Sequence, residues 1–267
     1  MKELERLLVI MKSLRDPEKG CPWDKEQTIG SIKSYTLEEV YEVVDAIENN
    51  DMEGLRDELG DLLFHIIFYS EMADEDKHFN FQDVVNQVNQ KLERRHPHVF
   101  SDFKVDNVEQ VKALWEQIKQ QERKDAGKDS DNRAAKLLDD ISKNMPAVMR
   151  AEKLQKRAAT VGFDWTDSKD ILNKIDEELS ELRHATLESN NIENISEELG
   201  DLMFCCVNLA RHYKIDSEVS LRDTNEKFVC RFNYIEETLK KQNKLLSDAT
   251  LEEMDELWNE AKQATKK

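Results

Sequence analysis

The sequence predicts an all-α protein built from two tandem, homologous helical-bundle domains. Glycine occurs 7 times and proline 4 times in 267 residues, so turns should be few and helices long. Charged residues make up 36 % of the chain and hydrophobic residues 39 %, a balance typical of amphipathic helices that pack through apolar stripes. Several motifs also occur twice, in the same order in both halves of the chain.

The internal duplication is clearest in DELGDLLF (57–64) and EELGDLMF (197–204), which are identical at six of eight positions. An ordered set of such repeats indicates that one domain was duplicated. The other pairs, in chain order, are GCPWD and GFDWT, LEEVYEV and DEELSEL, NQKLERR and NEKFVCR, and LWEQIKQ and LWNEAKQ.

A polar segment, ERKDAGKDSDNR (122–133), separates the two halves and contains no large apolar side chain. Such a segment cannot contribute to a hydrophobic core and is typical of a linker. We therefore predict an N-terminal domain at residues 1–121, a flexible linker at 122–135 and a C-terminal domain at 136–267.

Hydrophobic periodicity predicts five helices in each domain. Asn50 and Asp51 separate the second helix from the third, and Asp51 is a candidate N-cap. The predicted helices of the first domain lie near 2–14, 30–50, 52–75, 81–95 and 107–124. Those of the second lie near 142–159, 168–188, 191–213, 217–241 and 250–264.

Two of these helices carry long apolar stripes. The third helix is apolar nearly all round, so we expect it to be buried. The stripe of the second helix consists of Val40, Val43, Val44 and Ile47, and the main stripe of the third consists of Leu59, Leu62, Leu63 and Ile66.

Charge and cysteine content exclude several classes of protein. The net charge of −18 and pI of about 4.9 argue against a broad surface for a nucleic acid polymer or an anionic membrane. No apolar stretch is long enough to span a bilayer, and the N-terminus does not resemble a signal peptide. The four cysteines lack zinc-site spacing, and adjacent Cys205 and Cys206 should be core residues. Reduced thiols predict a cytoplasmic protein.

Acidic residues are concentrated on two helices of each domain. Glu38, Glu39 and Glu42 lie within about one helical turn, although like charges at this spacing repel. Taken alone, they are typical of a solvated charged face. Glu58 and Asp61 are different, because they interrupt a strongly apolar helix, where uncompensated carboxylates are costly.

If the two helices pack antiparallel, four carboxylates face one another and require a divalent cation. Oxygen ligands favour Mg²⁺, Mn²⁺ or Ca²⁺ over zinc, and Mg²⁺ commonly shares its coordination with substrate phosphates. We therefore expect a site for phosphoryl chemistry in each domain. The predicted metal ligands are Glu39, Glu42, Glu58 and Asp61 in the first domain, and Glu178, Glu181, Glu198 and Asp201 in the second.

Basic residues at matching positions of the two halves are candidates for binding phosphate. Lysine would contribute a point charge and arginine a bidentate fork. Surface ion pairing with the many acids is the alternative explanation for any one of them. The candidates are Lys91, Arg95 and Lys119 in the first domain, and Lys227, Arg231 and Lys262 in the second.

These motifs together resemble the MazG family of nucleoside triphosphate pyrophosphohydrolases. The resemblance rests on E-E-x-x-E followed by E-L-G-D-L, on KLERRHPHVF (91–100) and on RDPEKGCPWDKEQT (15–28), and it covers nearly the whole chain. It implies a four-helix core in each domain and a homodimer. It also implies Mg²⁺-dependent hydrolysis, with Mn²⁺ as a substitute, of the α–β phosphate bond of a (d)NTP, including ATP and non-standard nucleotides.

The products would be a nucleoside monophosphate and pyrophosphate, and the usual role of such enzymes is nucleotide pool sanitation or control of alarmone levels. The resemblance implies that Glu38 and Glu177 orient the attacking water or hold a second ion. Together with Glu39 and Glu178 they form the predicted catalytic set. The predicted nucleotide contacts are Lys174, Lys227, Arg231, Trp258 and Lys262, with Lys91, Arg95, Trp115 and Lys119 in the first domain.

The two halves differ at three positions near the acids. Where the second half has Lys174, Cys205 and Asn208, the first half has Tyr35, His65 and Phe68. The additional lysine and the polar asparagine favour the second domain as the catalytic one.

Other motifs receive simpler explanations. Pro97 lies between His96 and His98, which favours a turn at a helix end over a metal site. Trp23 and Trp165 are candidates for stacking on a base, although core or lid packing is the more common role. Cys21 has no neighbouring histidine to act as a base.

Two other functions remain open from the sequence. The first is a helical adaptor that binds a regulatory or other partner protein and uses the metal for stability. The second is an enzyme of the same chemistry that acts on dUTP or phosphoribosyl-ATP. A P-loop enzyme is excluded, because the sequence contains no G-x-x-x-x-G-K-[ST] motif.

Overall fold

The computed structural model describes residues 2–129, 136–189 and 191–264, and within these residues it contains helices and turns but no strand. The all-α prediction is confirmed. Contacts between Cα atoms divide the chain into two compact units, residues 1–129 (unit 1) and 130–267 (unit 2). The predicted linker overlaps a helix that continues to Asp129, and residues 130–135 lie outside the described part of the chain.

Unit 1 is a helical assembly centred on one long helix, α4. Helix α3 packs along α4, and α1 and α5 also contact α4. The helices of the unit are α1 (Lys2–Leu14), α2 (Pro22–Glu26), α3 (Lys33–Glu48), α4 (Met52–Glu75), α5 (Phe81–Arg95), α6 (Pro97–Phe100) and α7 (Val108–Asp129).

The turn between α3 and α4 forms as the sequence predicts. Asn50 adopts a φ of 54°, a left-handed conformation that asparagine tolerates better than most residues. The side chain of Asp51 then accepts hydrogen bonds from the backbone N–H groups of Glu53 and Gly54, at 3.1 and 2.9 Å. These bonds satisfy donors that a helix N-terminus otherwise leaves unpaired, so the predicted N-cap is confirmed.

The core of unit 1 lies at the second half of α4. Ile67, Phe68 and Met72 are buried there together with Met11 of α1 and Ile32, which precedes α3. Burial of each such side chain is worth about 1.5 to 3 kcal/mol. This cluster anchors α3 and α4 at one end of their antiparallel pair.

The first half of α4 is not buried within the unit, contrary to the prediction. Leu59 is 49 % exposed, and Leu63 and Ile66 are also exposed. The facing helix shows the same feature, since Val40 is exposed and Ile47 is 55 % exposed. Val43, Val44 and Leu62 of these stripes are half-buried, and the described helices of unit 1 leave the other stripe residues exposed.

Unit 2 repeats this arrangement of helices. Its helix α11, with 25 residues, is longer than the equivalent helix of unit 1, α5, which has 15. Helices α9 and α10 form the closely packed pair, α8 contacts α10, and α12 packs on α11. The elements are α8 (Ala147–Ala159), α9 (Ser168–His184), a π-helical turn (Ala185–Ser189), α10 (Ile192–His212), α11 (Ser217–Lys241), a 3₁₀ turn (Leu246–Asp248) and α12 (Leu251–Ala264). Its apolar cluster is formed by Ile235, Leu239 and Leu257.

Three helix boundaries differ from the predictions by about four or five residues, for identifiable reasons. Helix α8 begins at Ala147 rather than near 142, because Pro146 disfavours helical geometry in the residues before it. Helix α9 ends at His184, and a π-helical turn replaces its predicted last residues. Helix α7 continues five residues beyond 124, because its polar sequence is rich in good helix formers.

Among the described helices, none has the length and apolar character that crossing a membrane would require.

One ion-pair network joins α5 to α7. Glu122 of α7 receives bonds from Arg94 Nη2 and Arg95 Nη2, each at 2.7 Å, and its side chain is 24 % exposed. Hydrogen bonding from Arg95 first, and then from Arg94, lowers the pKa of Glu122 to about 2. The ionised form of Glu122 is therefore favoured more strongly in the folded chain than in the unfolded one.

We predict that Glu122→Gln destabilises unit 1 in a pH-dependent way. The unfolded carboxyl titrates near pH 4.3, so the network stabilises fully above that pH and loses its effect as the pH falls towards 2. At pH 7 we expect a loss of about 1 kcal/mol, measured by urea unfolding. The difference from the wild type should shrink below pH 4. Glu3→Gln, which removes an exposed pair with Arg6, is the control and should have little effect at any pH.

Candidate metal and nucleotide site

The α3–α4 pair of unit 1 brings acidic side chains from both helices together. Carboxylate oxygens of Glu39, Glu42 and Glu58 lie within 4.8 Å of one another. Glu39 is half-buried, and burial followed by the charge of Asp61 raises its pKa. Oε2 of Glu39 is buried and has no hydrogen-bond partner among the described residues.

The α9–α10 pair of unit 2 forms the equivalent cluster. Oxygens of Glu178, Glu198 and Asp201 lie within 4.8 Å of one another, and Glu178 is only 5 % exposed. Partial burial raises the pKa of Glu198, and the charges of Glu181 and Glu178 raise it further. The predicted fourth ligand in each unit, Asp61 or Glu181, therefore lies near the cluster but outside its tightest set.

The donor set of each cluster fits a hard divalent cation. All of its groups are carboxylates, the ligands that Mg²⁺, Mn²⁺ and Ca²⁺ prefer. Burial first, and then the charges of the neighbouring carboxylates, raises the pKa values of Glu39, Glu58 and Glu198, and a bound cation would relieve the repulsion between those charges. An orphaned buried oxygen, Glu39 Oε2, is a further ligand atom without a protein partner.

Lys174 belongs to the cluster of unit 2. Its Nζ lies 2.8 Å from Glu178 and 2.9 Å from Glu177, one turn further along α9. Hydrogen bonding to Glu178 and then to Glu177 raises the pKa of Lys174, which stays protonated. This ammonium group offsets part of the negative charge that would otherwise make burial of Glu178 costly. The predicted catalytic residue Glu177 is exposed and is held by this contact, and Glu38 of unit 1 is also exposed.

Unit 1 has a different arrangement at this position. Tyr35, which replaces Lys174, packs edge to face with Trp23 at a centroid distance of 6.0 Å. His65, which replaces Cys205, is buried, and its Nδ1 lies 3.1 Å from Thr36 Oγ1, which in turn bonds to Tyr69. Burial lowers the pKa of His65. Unit 1 thus pairs its acid cluster with an aromatic and hydroxyl network.

The other predicted nucleotide-binding residues of unit 2 lie on α11 and α12. The guanidinium of Arg231 lies over the ring of Trp258, 5.4 Å from its centroid, and Trp258 packs against Phe228. Lys227 is exposed on α11, and Nζ of Lys262 lies 3.4 Å from Asn259. In the described part of unit 2, no hydrogen bond, ion pair or ring contact joins these residues to the acids.

Their equivalents in unit 1 have other partners. Arg95 is bound to Glu122, and Trp115 packs edge to face on His96 at 5.2 Å. Lys91 is exposed and Lys119 is half-buried. His96 itself caps the end of α5, as predicted, and its Nδ1 is bonded to the backbone oxygen of Leu92. The fold therefore uses Arg95 to attach α7 in unit 1.

The prediction that both adjacent cysteines are core residues is wrong for one of them. Cys206 is exposed, although Cys205 is buried as expected. Trp23 and Trp165 are 50 % and 40 % exposed, which excludes the core part of their predicted role and leaves lid packing and base stacking as predictions. Helix periodicity alone could have separated Cys205 from Cys206, because adjacent residues lie about 100° apart.

Comparison with known proteins assigns the family. The model of the MazG nucleotide pyrophosphohydrolase domain matches residues 27–100 and again residues 166–235. The chain belongs to the MazG nucleotide pyrophosphohydrolase family. Each matched segment of this MazG chain contains one complete set of the four acids, so the clusters of both units lie in family domains.

Relatives match over nearly the full chain. A nucleoside triphosphate pyrophosphohydrolase of Escherichia coli (strain K12) is 47 % identical over 98 % of this chain and 98 % of its own. The nucleoside triphosphate pyrophosphohydrolase/pyrophosphatase MazG of Thermotoga maritima is 40 % identical over 97 % and 95 % of the two chains. YabN of Bacillus subtilis is 43 % identical over 97 % of this chain and 51 % of its own.

We predict that Lys174→Met lowers the melting temperature of the metal-free MazG chain. Without the ammonium group, Glu178 remains buried beside two carboxylates and has no compensating charge. Lys169→Met, at an exposed position of the same helix, is the matched control. Thermal unfolding in EDTA measures both variants. Equal melting temperatures for the two variants would show that Lys174 does not stabilise the acid cluster.

Proposed function

We propose that this MazG chain is an Mg²⁺-dependent nucleoside triphosphate pyrophosphohydrolase that cleaves the bond between the α and β phosphates of (d)NTPs, including non-standard ones. The observation that carries the proposal is the convergence of Glu178, Glu198 and Asp201 within 4.8 Å beside Lys174. The names of the Escherichia coli and Thermotoga maritima relatives support this substrate class.

Glu178, Glu181, Glu198 and Asp201 would hold the cation in unit 2, and Glu39, Glu42, Glu58 and Asp61 are the corresponding residues of unit 1. When bound, Mg²⁺ or Mn²⁺ supplies a Lewis acid that stabilises negative charge on the phosphoryl oxygens and on departing pyrophosphate. The clustered carboxylates also repel unaccompanied phosphate, so a free polyanion would not occupy the site by itself.

The side chains of α9 provide the remaining functions of the proposed reaction. Glu177 is exposed and held by Lys174, so it can accept a hydrogen bond from water and orient it in line with the α-phosphorus. The water oxygen forms the new bond to that phosphorus, and the bond to the bridging oxygen breaks. The nucleoside monophosphate and pyrophosphate are released, and the proton of the water passes to Glu177 or to solvent.

We place the principal catalytic site in unit 2. Lys174 contributes a positive charge beside the acids, whereas Tyr35 contributes none in unit 1. Arg231 stacks on Trp258 and is available for phosphate, whereas Arg95 is already bound to Glu122. Unit 1 therefore has no lysine at the position of Lys174, and its arginine at the position of Arg231 is already paired with a glutamate.

We also propose that the chain forms a homodimer through the exposed apolar stripes on the acid-bearing helices. In unit 1 these stripes include Leu59, Leu63 and Ile66, and in unit 2 they include Leu199 and Met203. Apolar side chains clustered on neighbouring helices are typical of a protein–protein interface. Since the stripes occur on equivalent helices of both units, they are suited to a symmetric assembly.

Pyrophosphate release is the direct test of the activity. We expect the full chain with Mg²⁺ to convert an NTP into the monophosphate and pyrophosphate, and Glu198→Gln to reduce kcat by roughly a hundredfold or more, because cation binding is lost. A panel of common and non-standard (d)NTPs, dUTP and phosphoribosyl-ATP would define the substrate class.

Two controls make this test specific. Glu193→Gln changes an exposed glutamate in the first turn of the same helix and should leave activity intact. Glu58→Gln alters the equivalent site of unit 1 and should have a smaller effect than Glu198→Gln. Release of orthophosphate without pyrophosphate would contradict the proposed bond cleavage, and an equal effect of the two unit variants would contradict the assignment to unit 2.

The proposed dimer gives a separate prediction. Replacement of an exposed apolar residue by a charge, as in Met203→Glu or Ile66→Glu, should shift the chain towards the mass of one 31.3 kDa protomer in sedimentation experiments. Leu251→Glu, at an exposed position of α12, is the control. A wild-type chain that sediments as a monomer at all concentrations would rule out the dimer.

A further inference from the structure

Residues 160–167 form a loop that connects α8 to α9 and lines one side of a cavity in unit 2. The cavity has a volume of about 480 Å³, which is in the range of sites that bind small molecules. Its other walls are provided by α8 and by the second half of α10. A movement of the loop would therefore open one side of this cavity.

Both ends of the loop are fixed by the helices that they join. At the first end, Gly162 has a φ of 85°, a conformation that glycine adopts without strain, and the backbone N–H of Phe163 donates to the oxygen of Ala158 at 3.2 Å. At the second end, the side chain of Asp167 caps the N-terminus of α9. The stretch between these two attachments consists of residues 164–166.

The middle of the loop is attached to α10 by one side chain. The carboxylate of Asp164 forms a bidentate ion pair with Arg211, in which Nη1 donates to Oδ2 at 3.0 Å and Nη2 donates to Oδ1. Within the part of the chain that the structure describes, residues 164–166 form no other hydrogen bond or ion pair. Loss of this pair would leave the middle of the loop without a polar attachment.

The aromatic side chains of the loop are poorly buried. Phe163 is 79 % exposed and Trp165 is 40 % exposed. Neither residue belongs to the apolar cluster of Ile235, Leu239 and Leu257. Because the free energy of apolar burial scales with the area removed from water, these side chains hold the loop less firmly than core residues would.

Arg211 is positioned to remain in place when the pair separates. Its side chain is 11 % exposed, and its Nε and Nη2 also donate to Oδ1 of the buried Asn208, at 3.0 and 2.6 Å. The side chain of Asp164 is more exposed, at 29 %. Separation would therefore hydrate the carboxylate of Asp164 and leave the guanidinium with a hydrogen-bond partner on its own helix. Such an opening avoids most of the cost of an unpaired buried charge.

The equivalent segment of unit 1 is attached at more points. The guanidinium of Arg15 donates to the backbone oxygens of Asp24 and Gln27, at 2.6 and 3.1 Å. It also forms a bidentate ion pair with Glu75 of α4, with both bonds at 2.6 Å. One buried arginine thus joins this segment both to itself and to the long helix of the unit.

The glycines of the two segments show the same difference. A Cβ atom added to Gly20 would lie 2.4 Å from the backbone oxygen of Leu14, so the chain of unit 1 passes directly against the end of α1. A Cβ atom added to Gly162, the equivalent residue of unit 2, would have no heavy atom within 4 Å. The loop of unit 2 is therefore the more loosely packed of the two.

The charges of the attachment are also reversed between the units. In unit 1 the arginine lies on the segment and its acidic partner on the helix, whereas in unit 2 Arg211 lies on the helix and Asp164 on the loop. The position of Arg211 carries Glu71 in unit 1. Arg157, which corresponds to Arg15, is bonded to Asp140 instead of to the loop.

We propose that residues 160–167 are a lid over the cavity of unit 2 and that the Asp164–Arg211 ion pair is the latch that holds this lid closed. The segment of unit 1 that follows α1 is the permanently closed counterpart. The proposal does not depend on the proposed reaction, because the latch and the cavity are both defined by contacts within unit 2.

Hydrogen–deuterium exchange of the full chain, measured on its peptides by mass spectrometry, tests the latch. Arg211→Met should accelerate amide exchange within residues 160–167 at least about fivefold, because loss of the bidentate pair raises the population of the open loop. Asp164→Asn removes the same pair from its exposed side, and it should fold and have the same effect even if Arg211→Met does not fold. In the wild type, added salt should accelerate exchange of this loop, since the pair is partly exposed.

Reversal of the pair separates loss of the latch from general damage. Asp164→Arg combined with Arg211→Glu places the charges as in unit 1, and the double variant should recover slow exchange of the loop. Arg15→Met is the matched variant of unit 1 and should accelerate exchange within residues 15–28 alone. Asp176→Asn, at an exposed position of α9, is the control and should leave exchange of both segments unchanged.

A thiol placed in the cavity tests whether the loop covers it. Ala158 lines the cavity, so Ala158→Cys introduces a group whose alkylation by iodoacetamide is measured on its own peptide. Alkylation should be faster when Ala158→Cys is combined with Asp164→Asn than when it is present alone, because the open lid admits the reagent.

Three results would overturn the proposal. The first is unchanged exchange of residues 160–167 in both Arg211→Met and Asp164→Asn, or no recovery in the reversed pair. The second is acceleration that extends equally through α8 and α10, which would show that the pair stabilises unit 2 as a whole. The third is equal alkylation of the introduced thiol with and without the latch, which would show that the loop does not cover the cavity.

Discussion

Both units must hold a cluster of mutually repelling carboxylates in place, and the rest of each unit is built around this constraint. Helices from each unit hold at least three acidic groups within 4.8 Å, an arrangement that resists folding when no cation is bound. The helices tolerate it because they are anchored elsewhere, in unit 1 by the Ile67, Phe68 and Met72 end of α4. Unit 2 adds Lys174, whose ammonium group contacts the most buried of these acids, Glu178. The acid cluster is thus maintained by packing one to three helical turns away from it.

Duplication has preserved this constraint while the surroundings of the two clusters have diverged. In unit 1 the positions beyond the acids carry His65 and Phe68, which are buried, and Arg95 joins α7 through Glu122. In unit 2 the corresponding positions carry Cys205 and Asn208, and a cavity lies beside the latter. A well-packed core favours stability, whereas the mostly apolar cavity of unit 2 leaves the buried Oε1 of Gln155 without a hydrogen-bond partner among the described residues. The corresponding stretches of α4 and α10 therefore lie in a packed core in unit 1 and beside a cavity in unit 2.

Local patterns were sufficient to predict most of the fold. The ten long helices, the Asp51 cap and the duplicated acids all follow from spacing and residue type within one or two neighbouring elements. Features that depend on contacts distant in sequence were not predicted. The pairing of Arg95 with Glu122, and of Gln155 with the backbone at Phe204, joins helices whose relative placement no periodicity specifies. The exposure of Leu59 was not predicted either. An apolar stripe indicates that a helix face will be covered, but it does not indicate whether the covering group belongs to the same unit.

The exposed stripes and the acid clusters lie on the same helices, and this links assembly to chemistry. Leu59 and Leu63 lie two residues before and after Asp61 in α4, about 160° from it around the helix axis, and Leu199 and Met203 have the same positions relative to Asp201 in α10. A second copy that covered these side chains would remove water from one side of each acid-bearing helix. Electrostatic interactions strengthen when water is excluded, so a cation and a triphosphate at the carboxylates would be held more firmly in the dimer than in the monomer. Loss of the dimer should therefore reduce metal and nucleotide affinity even where the substituted residue touches neither.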